Sequence, residues 1–407
     1  MDITVRSCRE GERQRALEVC ETAFGVDVRP EDLGRWLNVL TAERTFAAYE
    51  GETMVGAGGN FSFEVSVPGG SVPTAGLTMV GVLPSHRRKG VLTKLMRATL
   101  ADAAERGEPL SLLWASEAAI YQRYGYGFAS RQARLLADRD RVEFLEDTEP
   151  VGRVRLITLD EAVKLLPQVY DRVMEQVPGM FARSEEWWRS HRLFDPEHHR
   201  EGGGPTWCAL LEIDGVAEGY ALYRVHSSWK DGSPHGRLAI RESMATSPLA
   251  TKELWRFLLG IDLIGQIESW WMPSDHPLML MVKEPRRLRW MIQDSLWCRL
   301  VDVKAALEHR SYAAAASVII ELSDAFIPAN AGRWRLDTTG EKASLERTED
   351  PADIRLDVRD LAAVYLGAFR LSELRLALRG EELTEGAVER FDKMFVTDRA
   401  PCCPEIF

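Results

Sequence analysis

The chain has 407 residues, 45% of them hydrophobic, with 62 acidic residues against 51 Lys and Arg, for a net charge of −11. That length exceeds one ordinary core and predicts two or three domains, and the acidic balance argues against nucleic acid, whose phosphates need a basic face. No apolar run approaches the roughly 18 residues of a membrane span, the start MDITVRSCREGERQ lacks a signal-peptide core, and six scattered cysteines without C-x-x-C spacing fit a reducing cytoplasm and argue against a zinc site.

In chain order, ITVRSCREG opens a unit that continues as a helical run from Glu12 to Phe24 and a second helix carrying Trp36. TFAAYEGETMVGAGGNFSFEV then reads as a hairpin turning at Glu50-Gly51 between alternating apolar residues. LTMVGVLP is a buried strand, and VLTKLMRATLADAAERG is a helix with Leu92, Leu95, Met96 and Ala103 on one face. SLLWAS (Ser111 to Ser116) is another strand, followed by EAAIYQRYGYG. Past a linker near Asp147-Gly152 the same order returns. RVRLITLDEAVKLLPQVYDRVME is strand then helix, SEEWWRSHRL a helix with tryptophans, and TWCALLEIDGVAEGYALYRV a hairpin turning at Asp214-Gly215. GRLAIRESM, LATKELWRFLLGID and QIESWWM complete the repeat as strand, helix and strand; HHREGGGP is a loop within it. Beyond about Trp297 the pattern changes to antiparallel strands (ASVIIELSDAFI, GRWRLDTTGEKASLERT), then a short strand and helices, ending in TDRAPCCPEIF, where Pro401 and Pro404 forbid regular structure. The expected domains are residues 1–149, 150–294 and 295–407.

One turn stands out. Arg87, Arg88 and Lys89 precede Gly90 where a helix begins, although aligned peptide dipoles make a helix N-terminus positive. A bound anion resolves the conflict: the free N–H groups of the first turn point at it, Gly90 permits close backbone approach, and the cations add charge-assisted bonds to phosphate oxygens. The matching turn of the second copy, MATSPLATKELW, has neither arginine nor a glycine before its helix, so one copy keeps the anion site and the other only the scaffold. Two nucleotide motifs are absent: GAGGNF carries phenylalanine where a third glycine belongs, and no G-x-x-x-x-G-K-[ST] exists. Those glycines read instead as relief for a twisted or bulged strand. An acidic protein with one basic turn suits a small anion at the turn and a cationic substrate steered by the rest.

The turn RRKGVL resembles the pyrophosphate loop of the GNAT acyltransferases, R/Q-x-x-G-x-G/A, with Leu92 in place of the final small residue. With the degenerate second copy, the third unit, PTAGLTMVGVLPSHRRKGVL, ASEAAIYQRYGYG and YALYR, the whole chain resembles the Eis (enhanced intracellular survival) family. That resemblance implies a mixed α/β (α+β) chain of tandem GNAT folds, the second degenerate, and a C-terminal sterol-carrier-like domain. It implies acetyl-CoA-dependent N-acetylation of a polyamine, an aminoglycoside first among the candidates, with no metal, in a cytoplasmic homo-hexamer.

By the same resemblance, Val80, Gly81 and Val82 face the pantetheine arm and thioester, and bulged backbone there can donate to the carbonyl oxygen. Arg87, Arg88, Lys89, Gly90, Val91, Leu92 and Thr93 hold the pyrophosphate, and Ser116 and Glu117 line the other side. Tyr121 is expected to protonate the departing thiolate, a step that a phenol of pKa about 10 can perform; Tyr124 and Tyr126 are rivals in the same segment. No histidine lies near Tyr121 in sequence to act as base. The residues after Phe395 can reach roughly 40 Å when extended, and the family places the base on the terminal carboxylate, here that of Phe407. Asp27, Trp36 and Glu405 are candidates for holding the cationic substrate. Direct attack is expected because no cysteine sits near the proposed site to form an acyl-enzyme. Two further readings stay open: acetylation of protein lysines or of a metabolite amine, and a non-catalytic acyl-CoA or lipid-binding protein.

Overall fold

The computed structural model describes residues 3–26, 29–146, 148–340 and 342–407. Its first sheet grows from the expected hairpin, Thr45–Glu50 and Thr53–Val67, with Gly51 in the left-handed conformation that the tight turn demands. Seven strands follow the order Ile3–Ser7, Thr45–Glu50, Thr53–Val67, Gly70–Val82, Leu110–Trp114, Leu296–Leu300 and Gly127–Phe128. Between the parallel strands Gly70–Val82 and Leu110–Trp114 runs the helix Val91–Glu105, burying Val91, Leu95, Met96, Leu100 and Ala103 on one face. Each such leucine contributes roughly 1.5–3 kcal/mol by leaving water. This stripe and the strand's apolar run are what hold the basic turn between them at a fixed place.

Two irregularities shape the first sheet. Ala57 faces Gly81 and Gly59 faces Thr78, so Met79 and Val80 together oppose the single Gly58: a β-bulge, with Met79 at φ 50°. The expected glycine relief is found here, since a Cβ at Gly56 would come 3.1 Å from the Gly81 carbonyl oxygen. The second irregularity is in the parallel ladder, which pairs Thr74 with Leu110, Ala75 with Ser111 and Gly76 with Leu112, then stops. Past Gly76 the two strands part.

The second sheet repeats the plan with Met291–Asp294, Arg131–Asp138, Ile264–Pro273, Gly236–Ala245, Val216–His226, Trp207–Ile213 and Arg153–Ile157. The hairpin turns at Asp214-Gly215 as expected, and the helix Pro248–Gly260 takes the place of Val91–Glu105. SEEWWRSHRL, expected as one regular helix, forms a single α-turn at Glu185–Trp187 that widens to a π-helical turn over Trp188–Arg192. The third sheet has five strands, Ala343–Arg347, Gly332–Thr339, Ala315–Ser323, Ile354–Asp357 and Glu381–Glu382, with the helices Val358–Tyr365, Leu371–Leu376 and Ala387–Phe395. The chain is thus of the mixed α and β class. Among the described residues no helix is long and apolar enough to cross a membrane.

The structure divides the chain differently from the expected line at 149/150. Arg131–Asp138 pairs with Ile264–Pro273 and Met291–Asp294, and its Ala133, Leu135 and Ala137 are buried in the second core. Leu296–Leu300, in turn, pairs with Leu110–Trp114 and Gly127–Phe128 of the first sheet. Each copy therefore contains a strand from beyond its own stretch of chain. One compact unit comprises the described residues up to Ser130 with Leu296–Asp398 and Ile406–Phe407; the other comprises Arg131–Ser295 and Arg399–Glu405.

Candidate active site

The basic turn leaves the strand Gly70–Val82 through a short 3₁₀ turn, Pro84–His86. Arg88 (φ 63°) and Gly90 (φ 79°) are both left-handed, which swings the chain around so that Gly90 becomes the N-cap of Val91–Glu105. No side chain among the described residues caps that helix, so its first N–H groups stay open, as an anion site requires. Arg87, Arg88, Lys89 and Gly90 are exposed. The Arg87 Nη2 donates to the Ala23 carbonyl at 2.8 Å and the Lys89 Nζ to the Ser85 carbonyl at 2.9 Å, bonds that steady the turn. His86 is bound within it, Nε2 lying 2.9 Å from the Glu50 carboxylate. Val91 is a core residue, Leu92 and Thr93 are half-buried, and the Thr93 hydroxyl lies 3.3 Å from that of Tyr124.

The bulge sits just ahead of the turn. Gly81 is buried because a helix crosses it: a Cβ there would stand 2.8 Å from the Cys20 Cα. The Cys20 thiol donates to the Met79 carbonyl, which ties the left-handed residue in place. This corrects the expectation that no cysteine lies near the site. Burial pushes the Cys20 thiol well above its usual range, so it is a structural group and not a thiolate nucleophile. Val80 and Val82 are half-buried, while Ser116 and Glu117 are exposed just past the end of Leu110–Trp114.

The three tyrosines separate by what their hydroxyls touch. That of Tyr126 lies 2.7 Å from Ser111 Oγ in the core, a satisfied structural pair. Tyr124 stacks edge-on against Phe326 at 5.1 Å, its hydroxyl facing Thr93. Tyr121, in the short helix Ala118–Tyr121, has no hydrogen-bond partner for its hydroxyl among the described residues. Burial, reinforced by Tyr124, Cys20 and Glu117, pushes it up to about 12, so it stays protonated and able to donate. It packs in one cluster with Ala75, Leu77 and Leu113, touching the cores of both parting strands.

The terminal residue lies on other aromatic groups of the same compact unit. The Phe407 ring is 5.0 Å from Phe63 and 6.4 Å from Phe61, edge-on to both, and Phe61 stacks on Trp36 at 5.8 Å. A Cβ on Gly76 would overlap the Phe63 ring. The tail therefore ends beside the residue at which the parallel ladder stops. Phe61 and Phe63 were not singled out from sequence, although NFSFEV alternates and puts both on one face; their register over Gly76 needed the fold. Trp36 is half-buried in this group, with the Arg35 guanidinium 4.9 Å over its ring. Asp27 lies outside the described residues. Glu405 belongs to the other compact unit, where its carboxylate accepts from Trp187 Nε1 at 2.9 Å and pairs with Arg183 at 3.0 Å. Its charge is balanced there by Arg183.

Comparison with known proteins agrees with this anatomy. Residues 4–129 match a family described as an acetyltransferase (GNAT) domain, residues 179–300 a second GNAT acetyltransferase family, and residues 303–404 a sterol carrier protein domain. An uncharacterized N-acetyltransferase of Streptomyces avermitilis is 40% identical over 413 residues, covering 100% of both chains. The N-acetyltransferase Eis of Mycobacterium tuberculosis is 32% identical, covering 98% of each. The crystal structure of Eis1 from Mycobacterium abscessus superposes with a TM-score of 0.86 at 32% identity, over 99% of this chain and all of that one. Identity of 32% over nearly the whole of both chains settles the family: the chain belongs to the Eis family of GNAT N-acetyltransferases.

Proposed function

We propose that this N-acetyltransferase moves the acetyl group of acetyl-CoA to an amine of a polycationic substrate, with aminoglycosides first among them, by direct attack in a ternary complex. The observation that carries the reading is the conjunction, in one compact unit, of an uncapped cationic helix N-terminus, a bulge beside parted parallel strands, and an unbonded, fully protonated tyrosine. The open N–H groups after Gly90, with Arg88 and Lys89 exposed beside them, fit a pyrophosphate. Backbone N–H groups around Val80–Val82 donate to the thioester oxygen as negative charge develops there. The amine nitrogen bonds to the carbonyl carbon as the carbon–sulfur bond breaks. The Phe407 carboxylate accepts the amine proton and the Tyr121 hydroxyl supplies one to sulfur. No acyl-enzyme is involved, because Cys20 is buried, protonated and committed to the Met79 carbonyl. The net charge of −11 attracts a polyamine, and the half-buried Trp36 offers it a flat surface.

The test is thiol release from acetyl-CoA across a panel of aminoglycosides, histone peptides and small diamines, comparing the full chain with one lacking Phe407. Turnover confined to aminoglycosides and collapsing without Phe407 supports the reading. Turnover on peptides or diamines alone moves the substrate elsewhere. Equal turnover by both chains removes the carboxylate from the mechanism.

A further inference from the structure

The second copy has the same bulge as the first. Leu222 faces Glu242 and Tyr223 faces Ile240, which leaves Arg241 as the extra residue, and the parallel ladder to Ile264–Pro273 ends at Ile240 and Ser269. Glu242 therefore occupies the place that Gly81 has in the first copy, in the stretch where the strands part. That place is filled. Arg183 spans both oxygens of Glu242, at 3.0 and 2.7 Å, and the Tyr220 hydroxyl donates to the same carboxylate at 2.6 Å. The Arg183 guanidinium also lies over the rings of Tyr170 (4.1 Å) and Trp188 (4.7 Å), and its Nη2 reaches Glu405.

Glu405 arrives on the C-terminal tail, which this unit grips along its length. The Asp275 carboxylate accepts from the Ala400 N–H at 2.9 Å and pairs with Arg399. The Cys402 N–H donates to the Pro178 carbonyl at 2.9 Å, and the Cys402 side chain packs with Tyr170, Trp188 and Tyr220. Pro401, Cys402, Cys403, Pro404 and Glu405 are all buried, although a proline-interrupted chain end would ordinarily fray.

We infer that the second GNAT unit has exchanged cofactor binding for a structural role. Its parted strands, through Arg183 and Trp187, form the socket that anchors the tail at Glu405 and thereby positions the carboxylate of Phe407, two residues further on. The inference rests on the proposed role of Phe407 as base. Glu405 is on this account a positioning residue, and the vestigial copy is needed for catalysis.

The test uses the full chain carrying Glu405→Ala, which leaves the Arg183–Glu242 pair intact, and Glu405→Gln, whose amide oxygen still accepts from Trp187. Two readouts are taken: release of the terminal phenylalanine by carboxypeptidase A, and kcat and KM with an aminoglycoside at saturating acetyl-CoA. The expected result for Glu405→Ala is phenylalanine release about 10-fold faster, with kcat down roughly 10–100-fold, the scale on which small misplacements of a reacting group act. The KM for acetyl-CoA stays unchanged, and Glu405→Gln recovers part of both losses. Release at the wild-type rate overturns the anchor. A rise in the KM for the amine at constant kcat also overturns it, making Glu405 a substrate contact. Faster release with normal kcat has two meanings, which removal of Phe407 separates. If that truncation abolishes turnover, positioning is overturned; if it too leaves turnover normal, the anchor is supported and the base role has failed instead.

Discussion

The two GNAT copies share strand order, hairpin and bulge, yet they treat the mouth of their parted strands in opposite ways. In the first, glycine and valine line the strand, the helix N-terminus is left uncapped behind Gly90, and three cations stand in solvent. In the second, Ser247 caps the helix by accepting from the Ala250 N–H at 3.1 Å, and Glu242, Arg183 and Tyr220 close the strands with a buried ion pair. The difference is one of unmet demand. An open N-terminus with unbalanced cations holds free energy for a ligand, whereas a capped helix and a neutralised pair hold none. A binding scaffold is retired by satisfying its polar groups internally; its fold need not change.

Substitutions can break or sharpen that contrast. The largest effect is expected at Glu242→Gln. Burial pushes the Glu242 carboxyl up, but Arg183 and Arg192 outweigh burial and hold it at about 2. Removing its charge leaves the buried Arg183 with Glu405 as its remaining carboxylate and takes from Arg192 its Glu242 partner, at a cost of about 3–5 kcal/mol in a urea titration at neutral pH. Because the folded pKa is depressed, the pair's contribution is present above the ordinary glutamate range and is lost as pH falls towards 2. The wild-type advantage over the variant should therefore shrink progressively below about pH 4.

Next comes the active copy. Tyr121→Phe should lower kcat by about 10²-fold, a typical general-acid contribution, while Tyr126→Phe removes the Ser111 bond and costs only about 1 kcal/mol of stability. Since burial holds Tyr121 at about 12, its neutral donor form persists as pH rises, and a kcat profile carried to pH 10 should show no alkaline fall in the wild type. A smaller effect belongs to the turn: Arg88→Ala with Lys89→Ala should raise the KM for acetyl-CoA by about 10-fold with kcat preserved, as expected for the loss of charge-assisted contacts. Smallest is Ser247→Ala, which should cost about 1 kcal/mol in thermal denaturation and leave both kinetic constants alone. A change in acetyl-CoA affinity on substituting Ser247 would mean that the second copy still binds cofactor.

Much of this was legible in the residues. Glu50-Gly51 and Asp214-Gly215 announced their hairpins, the apolar period from Leu92 to Ala103 announced the helix behind the basic turn, and the missing arginine and glycine of MATSPLATK marked the second copy as degenerate. Other features were not. The alternation of Arg131–Asp138 says that a strand has a buried face, but every backbone ladder offers the same donors and acceptors, so nothing local says which sheet it joins. Cys20 lies far in sequence from Met79, and only the crossing of a helix over Gly81 brings the thiol to the bulge.

The residues by themselves determined what depends on neighbours in the chain: where turns fall, which faces are apolar, and that one helix begins among cations with no cap. Glu405 shows where such reasoning ends. A carboxylate near a chain terminus reads as free to meet a cation from solvent, yet Glu405 is buried against Arg183, more than two hundred residues earlier. Which charges are free and which are balanced depends on partners distant in sequence, and burial decides it by making an unpaired charge too costly to keep. That decision belongs to the tertiary structure, as does the meeting of Phe407, Phe61 and Phe63 beside the residue where two strands part.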